Sequence, residues 1–179
     1  MTNQSRAVDS AHLNSRRLFL ASLAAAGSMA TTALTGCGVR ELAPQSRYLL
    51  LDGSTISTSD IKGKVALINF WATTCATCVK EMPELVDIYK KFYPRGFETI
   101  AVAMSYDPPN WVLNFVKTRQ LPFKVALDSS GQVAKEWGDI KLTPTTFLID
   151  RDGRIIKKYV GAPDFIALQQ LIETLLTDS

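Results

Sequence analysis

Two cysteines three residues apart, Cys75 and Cys78, stand where an apolar run gives way to a helical pattern. Val65 to Phe70 is nearly continuous in apolar character, as a strand buried on both faces requires. After it, Cys78, Met82, Leu85, Tyr89 and Phe92 recur at alternating spacings of four and three, the apolar stripe of an amphipathic helix. The chain must therefore fold so that a central strand turns straight into a helix with both thiols in its first turn. There, unpaired backbone N–H groups and the helix dipole favour thiolate over thiol, and the spacing brings the two sulfurs within bridging distance.

A Cys-x-x-Cys pair serves as half of a zinc site, as a structural disulfide or as a redox couple. A closed zinc site needs four ligands, usually Cys or His. The only histidine is His12, near the N-terminus, and the only other cysteine is Cys37. No metal site is expected on that count, and a copper site built on thiols and an imidazole fails for want of the imidazole. A disulfide closing so short a loop restricts the unfolded chain little, so a purely bracing role stabilises little. Redox use is the better explanation. Cys75, nearer solvent, is the candidate attacking thiolate, and Cys78, one turn inside, is the candidate resolving thiol.

The odd third cysteine asks for a separate role, and its position supplies one. Residues 1–36 have a polar start, the pair Arg16-Arg17, and an uncharged run from Leu18 to Leu34 rich in Ala and Leu. Ser15-Arg16-Arg17-Leu18-Phe19-Leu20 resembles a twin-arginine export signal, and Leu34-Thr35-Gly36-Cys37 resembles the lipobox of bacterial lipoproteins. The expected organisation is an export signal over 1–36 with its lipobox at 34–37, a lipidated tether over 37–46 beginning at Cys37, and a single domain over 47–179. An uncleaved membrane helix is the alternative, although Gly27, Ser28, Thr31 and Thr32 make the 17-residue run weakly hydrophobic. Both readings place the domain outside the cytoplasm. The formal charge is +3, from 20 basic and 17 acidic residues, and Arg6, Arg16 and Arg17 against Asp9 place most of it before Cys37. The remainder has no basic stripe interleaved with aromatics, so no nucleic-acid partner is expected.

Strand and helix signals alternate regularly along the domain, as α/β folds require. Asp52-Gly53 between Tyr48–Leu51 and Ser54–Ser57 predicts a hairpin. The apolar run at Val65 and the segment Glu98 to Ser105 predict parallel strands joined by the Cys75–Tyr93 helix, which Pro83 should kink. Trp111–Thr118 and Gly131–Trp137 read as helices, Lys124–Leu127 as a strand, and Thr145–Ile149 with Arg154–Val160 as an antiparallel pair. Leu168, Leu171, Ile172 and Leu175 form the expected stripe of a last helix starting at Asp164.

Phe70-Trp71-Ala72-Thr73-Thr74-Cys75-Ala76-Thr77-Cys78, then Lys80-Glu81-Met82-Pro83, then Thr143-Pro144-Thr145-Thr146-Phe147-Leu148-Ile149-Asp150 resembles the TlpA/ResA-like thiol-disulfide oxidoreductases of the thioredoxin superfamily. The resemblance covers roughly residues 46–176. It implies an α/β thioredoxin fold: a central mixed β-sheet flanked by helices, with an N-terminal β-hairpin and an inserted strand-helix element within Asp107 to Trp137. It further implies a cis peptide before Pro144, whose Thr143 backbone edge faces the cysteines and receives an extended substrate. Thr143, Pro144, Trp71, Ala76 and Thr77 are the substrate-binding candidates that follow. Thr74 replaces a tryptophan usual in the family, and Ala76-Thr77 replaces a dipeptide that commonly contains proline.

Asn69 stands where thioredoxin itself has a buried acid, and an amide cannot exchange protons at ordinary pH. Glu81, three residues after Cys78, is the candidate to accept the Cys78 proton; its bland reading is a solvated carboxylate in an early helical turn. Cys75, Cys78 and Glu81 are thus the catalytic candidates, with no metal and no cofactor. The function expected is a monomeric, membrane-anchored, extracytoplasmic enzyme that reduces disulfides in exported proteins. Apocytochrome c is one candidate substrate and a membrane thiol-disulfide carrier the electron source. The rivals are a periplasmic dithiol oxidase, a non-catalytic lipoprotein binding module with a structural disulfide, and a thiol peroxidase.

Overall fold

The protein, as a computed structural model, is described over residues 40–177. The expected export signal, its two arginines and Cys37 lie outside the described residues. Along the chain the elements are β1 (Arg47–Leu50), β2 (Thr55–Ser57), β3 (Val65–Trp71), α1 (Ala76–Phe92), β4 (Phe97–Ala103), α2 (Pro109–Arg119), β5 (Lys124–Leu127), α3 (Gln132–Glu136), β6 (Thr145–Ile149), β7 (Ile155–Val160) and α4 (Phe165–Thr177). The strands form one mixed sheet in the order β2-β1-β5-β4-β3-β6-β7. Strands β3, β4 and β5 run parallel, while the β1-β2 and β6-β7 hairpins pair antiparallel to β5 and β3. In the first hairpin Gly53 takes φ +85°, a conformation open to glycine, and Asp52 Oδ1 accepts the Ser54 N–H.

Burial explains the two apolar central strands: every residue of β3 and of β4 is buried. The period of two then sorts side chains between two cores. Val65, Leu67 and Trp71 join the cluster built with α1, α2 and α4, whereas Ala66, Ile68 and Phe70 join the cluster that contains Val133, Ala134 and Trp137 from the α3 region. Asn69 falls on the α1 side by the same alternation. That register sets a polar residue beneath the helix that carries the cysteines.

Helix α1 buries the five stripe residues and also Glu81 and Ile88, and it continues through Pro83 to Phe92. In α4 the buried side chains are Leu168, Ile172 and Leu176, with Leu171 and Leu175 only partly covered. The expected stripe is thus shifted, because steps of four along the helix carry the contact line from Leu168 to Leu176. The segment between Asp107 and Trp137 holds β5 with a helix on each side, and β5 joins the hairpin β1-β2 to β4. Residues 41–46, within the stretch read as a tether, pack on the domain. Ile155 N–H donates to Glu41 O at 2.7 Å, Ala43 N–H donates to Gly153 O at 2.8 Å, and the Ser46 hydroxyl reaches Glu136 at 2.6 Å.

Candidate active site

Cys75 is the N-cap of α1, in extended backbone at φ −89° and ψ 105°, and Cys78 is the third residue of the helix. That geometry follows from β3 ending at Trp71: three residues turn the chain, and Cys75 N–H closes the turn on Ala72 O at 3.2 Å. The sulfurs are joined as a disulfide with Cα atoms 5.2 Å apart. The Cys78 N–H points at Cys75 Sγ over 3.1 Å, where a side-chain oxygen would sit in an ordinary helix cap. Such a donor stabilises negative charge on that sulfur once the disulfide opens. The two sulfurs differ in access. Cys75 is partly exposed, beside exposed Thr74, Ala76 and Thr77, while Cys78 has no exposed surface.

Beneath Cys78, on the same buried face of α1, lies Glu81, which is 2% exposed and so not the solvated carboxylate of the bland reading. Its Oε1 accepts a hydrogen bond from Asn69 Nδ2 at 3.0 Å, and the same amide group donates to Thr146 Oγ1 at 2.9 Å. Asn69 and Thr146 are register partners across β3 and β6, so the sheet pins the amide in place. Glu81 Oε2 and Asn69 Oδ1 have no hydrogen-bond partner among the described residues. Burial pushes the Glu81 carboxyl up to about 7, against the opposing pull of the Asn69 hydrogen bond. A buried acid that titrates near neutrality, one turn from a buried thiol, is placed to exchange a proton with it.

The Thr143-Pro144 peptide is cis, and Thr143 O lies 3.5 Å from Cys75 Sγ. Residues 68 positions apart in sequence therefore meet at the reactive sulfur. Thr143 is partly exposed and Pro144 is covered. Trp71, grouped with the substrate-binding candidates from its place in the motif, has no exposed surface and packs on Phe115 with ring centroids 5.1 Å apart. It supports the turn from below and cannot touch a substrate; an apolar ring at the end of a fully buried strand has nowhere else to go.

One residue of the site carries no motif signal. Asp107, 3% exposed in the loop after β4, accepts hydrogen bonds from the Thr73 backbone N–H at 2.6 Å and the Thr73 hydroxyl at 2.5 Å. It thereby ties down the turn that delivers Cys75. Its neighbour Tyr106 holds the other side of the site through a hydroxyl contact with Thr143 Oγ1 at 3.2 Å. In sequence Asp107 looks like a turn former ahead of Pro108-Pro109, and only the fold brings it to Thr73. Asp107→Ala leaves two donors without an acceptor, so the oxidised protein should lose roughly 1.5–3 kcal/mol in urea unfolding. Asp107→Asn, which keeps one acceptor oxygen, should lose less.

Comparison with known proteins agrees with this construction. A family profile described as Redoxin matches residues 38–171. The thiol-disulfide oxidoreductase ResA of Bacillus thuringiensis subsp. konkukian (strain 97-27) is 39% identical over 125 residues, 70% of this chain and 71% of its own length. Among solved structures, a protein described as a thioredoxin from Neisseria meningitidis aligns with TM-score 0.72 and 39% identity, covering 78% of this chain and 93% of its own. The pneumococcal exposed lipoprotein thioredoxin Etrx1 of Streptococcus pneumoniae strain TIGR4 aligns with TM-score 0.64 and 25% identity, covering 73% and 99%. Strand-to-helix delivery of a Cys-x-x-Cys pair, a cis-proline loop against it and this shared sequence lead to one conclusion: the chain belongs to the redoxin family and is a ResA-like thiol-disulfide oxidoreductase with a thioredoxin fold.

Proposed function

We propose that this oxidoreductase acts outside the cytoplasm, held to a membrane through Cys37, and reduces disulfides in exported polypeptides. The division of labour between its sulfurs carries the reading: an accessible Cys75 at the helix cap, and a buried Cys78 above a buried acid. In the dithiol form, the Cys75 thiolate attacks one sulfur of a substrate disulfide. A mixed disulfide forms and the other substrate sulfur leaves as a thiolate. Cys78 then gives its proton to the Glu81 carboxylate and attacks Cys75 Sγ, forming the Cys75–Cys78 disulfide and releasing the second substrate thiolate. The substrate gains two electrons, and the released thiolates take up protons from Glu81 and solvent. An external dithiol, in this reading a membrane thiol-disulfide carrier, must restore the reduced pair.

The extended substrate lies across exposed Ala76 and Thr77 and along the backbone edge at Thr143, beside Pro144. The leader supports the location, and one structurally similar protein is described as an exposed lipoprotein thioredoxin. Haem-binding cysteines of apocytochrome c remain a candidate substrate through the family resemblance. The midpoint potential tests the direction. A reductase is expected near or below about −200 mV, and a value near about −120 mV would sink this direction in favour of the dithiol-oxidase reading. Cys75→Ser should abolish turnover of a polypeptide disulfide altogether, whereas a binding module with a bracing disulfide would keep its function.

A further inference from the structure

Large exposed hydrophobic side chains gather around the reactive sulfur. Of nine among the described residues, Tyr106, Trp111, Leu142 and Val160 border the loops that hold Cys75, and the rest are spread over the molecule. Tyr106, 57% exposed, touches Thr143; Leu142 directly precedes Thr143; Val160 pairs with Thr145 at the end of β7. Trp111, 53% exposed in the first turn of α2, stands over an open depression of about 560 Å³ that reaches Thr73 and Thr74, with Phe115 in its wall. Phe115 in turn rests on buried Trp71. Exposed apolar surface of this kind marks a contact site when it is contiguous, as single exposed residues do not.

What covers it follows from the chemistry of its centre. A thiol-disulfide exchange brings a substrate sulfur into contact with Cys75, so the residues beside that substrate cysteine must lie over Thr74 or over Thr143. An extended chain advances roughly 3.4 Å per residue, so neighbours within two positions of the cysteine reach these walls. The depression sets the rings of Trp111 and Phe115 among the neutral polar side chains of Thr73, Thr74, Asn114 and Thr118, and its one charge is Arg119, whose guanidinium lies 5.7 Å from the Phe115 ring centroid. The two rings offer an apolar side chain beside the substrate cysteine a surface to pack on. We propose that Trp111 and Tyr106 are specificity residues for an extended polypeptide that carries an aromatic or large aliphatic side chain beside its disulfide cysteine. This rests on the reading above that polypeptide disulfides are the substrates.

The test compares full-length wild type with Trp111→Ser, Tyr106→Ser and, as a control exposed on the same helix but outside the depression, Leu113→Ser. Three disulfides are offered: a peptide with Phe next to its cysteine, the same peptide with Ser there, and hydroxyethyl disulfide. Wild type is expected to favour the Phe peptide about tenfold in kcat/KM, equivalent to about 1.4 kcal/mol. Trp111→Ser should lose that preference while hydroxyethyl disulfide turns over unchanged; Tyr106→Ser should lose the preference between the two peptides, and Leu113→Ser should behave like wild type. Equal rates on both peptides by wild type overturn the proposal alone, as does an equal loss on all three disulfides in Trp111→Ser. Turnover of hydroxyethyl disulfide with neither peptide reduced overturns it together with the polypeptide reading. A wild-type dimer that Trp111→Ser dissociates assigns the surface to a second copy of the chain and overturns it too.

Discussion

Cys78→Ser should stall after a single attack, leaving substrate covalently joined to Cys75. The reason lies in the two positions. Cys75 keeps its place at the helix cap and its 3.1 Å contact with the Cys78 backbone N–H, which a serine at that position also supplies. Formation of the mixed disulfide therefore survives. A serine hydroxyl cannot displace a thiolate from a disulfide, and Cys78 is fully buried, so no solvent thiol reaches the bond from its side. Multiple turnover should fall by about 10³-fold or more, and adducts should persist on non-reducing gels until a small thiol is added. Cys75→Ser should give no adduct. Adducts formed equally by both variants would mean that the assignment of attacker and resolver is wrong. Identification of the trapped proteins also tests whether exported polypeptides are the substrates.

Glu81→Gln should remove a pH dependence while leaving the first attack intact. The carboxyl is pushed up to about 7 by burial, so in wild type the resolving step should quicken as pH rises through that value and the carboxylate becomes free to take the Cys78 proton. The glutamine variant has no such group. Its resolution should be about 100-fold slower at pH 7.5 and lack the inflection near 7. Rapid-mixing measurements of mixed-disulfide decay across pH 5–9 would show this, and an unchanged profile would end the proposal that Glu81 accepts the proton.

The same burial has a consequence for stability with a definite sign. The folded carboxyl titrates at about 7 and the unfolded one at its ordinary 4.5, so between those values the native protein holds a proton that the unfolded chain has released. Stability from this group is full below pH 4.5 and falls as pH rises towards 7. Glu81→Gln should flatten that slope and make the variant the more stable form above pH 7, by an amount on the order of 2 kcal/mol. An activity loss accompanied by a gain in stability is the signature of a buried group kept for chemistry.

The strand at Val65, the helix after Cys75 and the β6-β7 hairpin were legible because each carries its own periodicity and turn residues within a short stretch. The reactive pair was legible for a related reason: capping and thiol spacing are local. Glu81 was visible as a candidate by its spacing from Cys78, but whether it was solvated or buried depends on which face of α1 meets the sheet. The alternation along β3 decides that, by setting Asn69 under the helix beside Leu67 and Trp71. Trp71 shows the opposite case. Its motif position suggested a substrate contact, and the end of a fully buried strand placed it beneath the turn.

By itself, the sequence determined the class of chemistry: one redox-capable thiol pair at a helix start, no imidazole or further thiol in the domain to bind a metal, and a proline loop of recognisable family type. Those are properties of residue identity and short spacing. Tertiary structure alone decided which groups surround the pair. Thr143 reaches Cys75 across 68 residues, Asp107 reaches Thr73 across 34, and Trp111 stands beside Thr74 because α2 packs next to the turn. Such long-range neighbours are set by sheet order and burial, in which loops of unrelated position end on the same edge of one core. No local pattern in the chain encodes where those loops will meet.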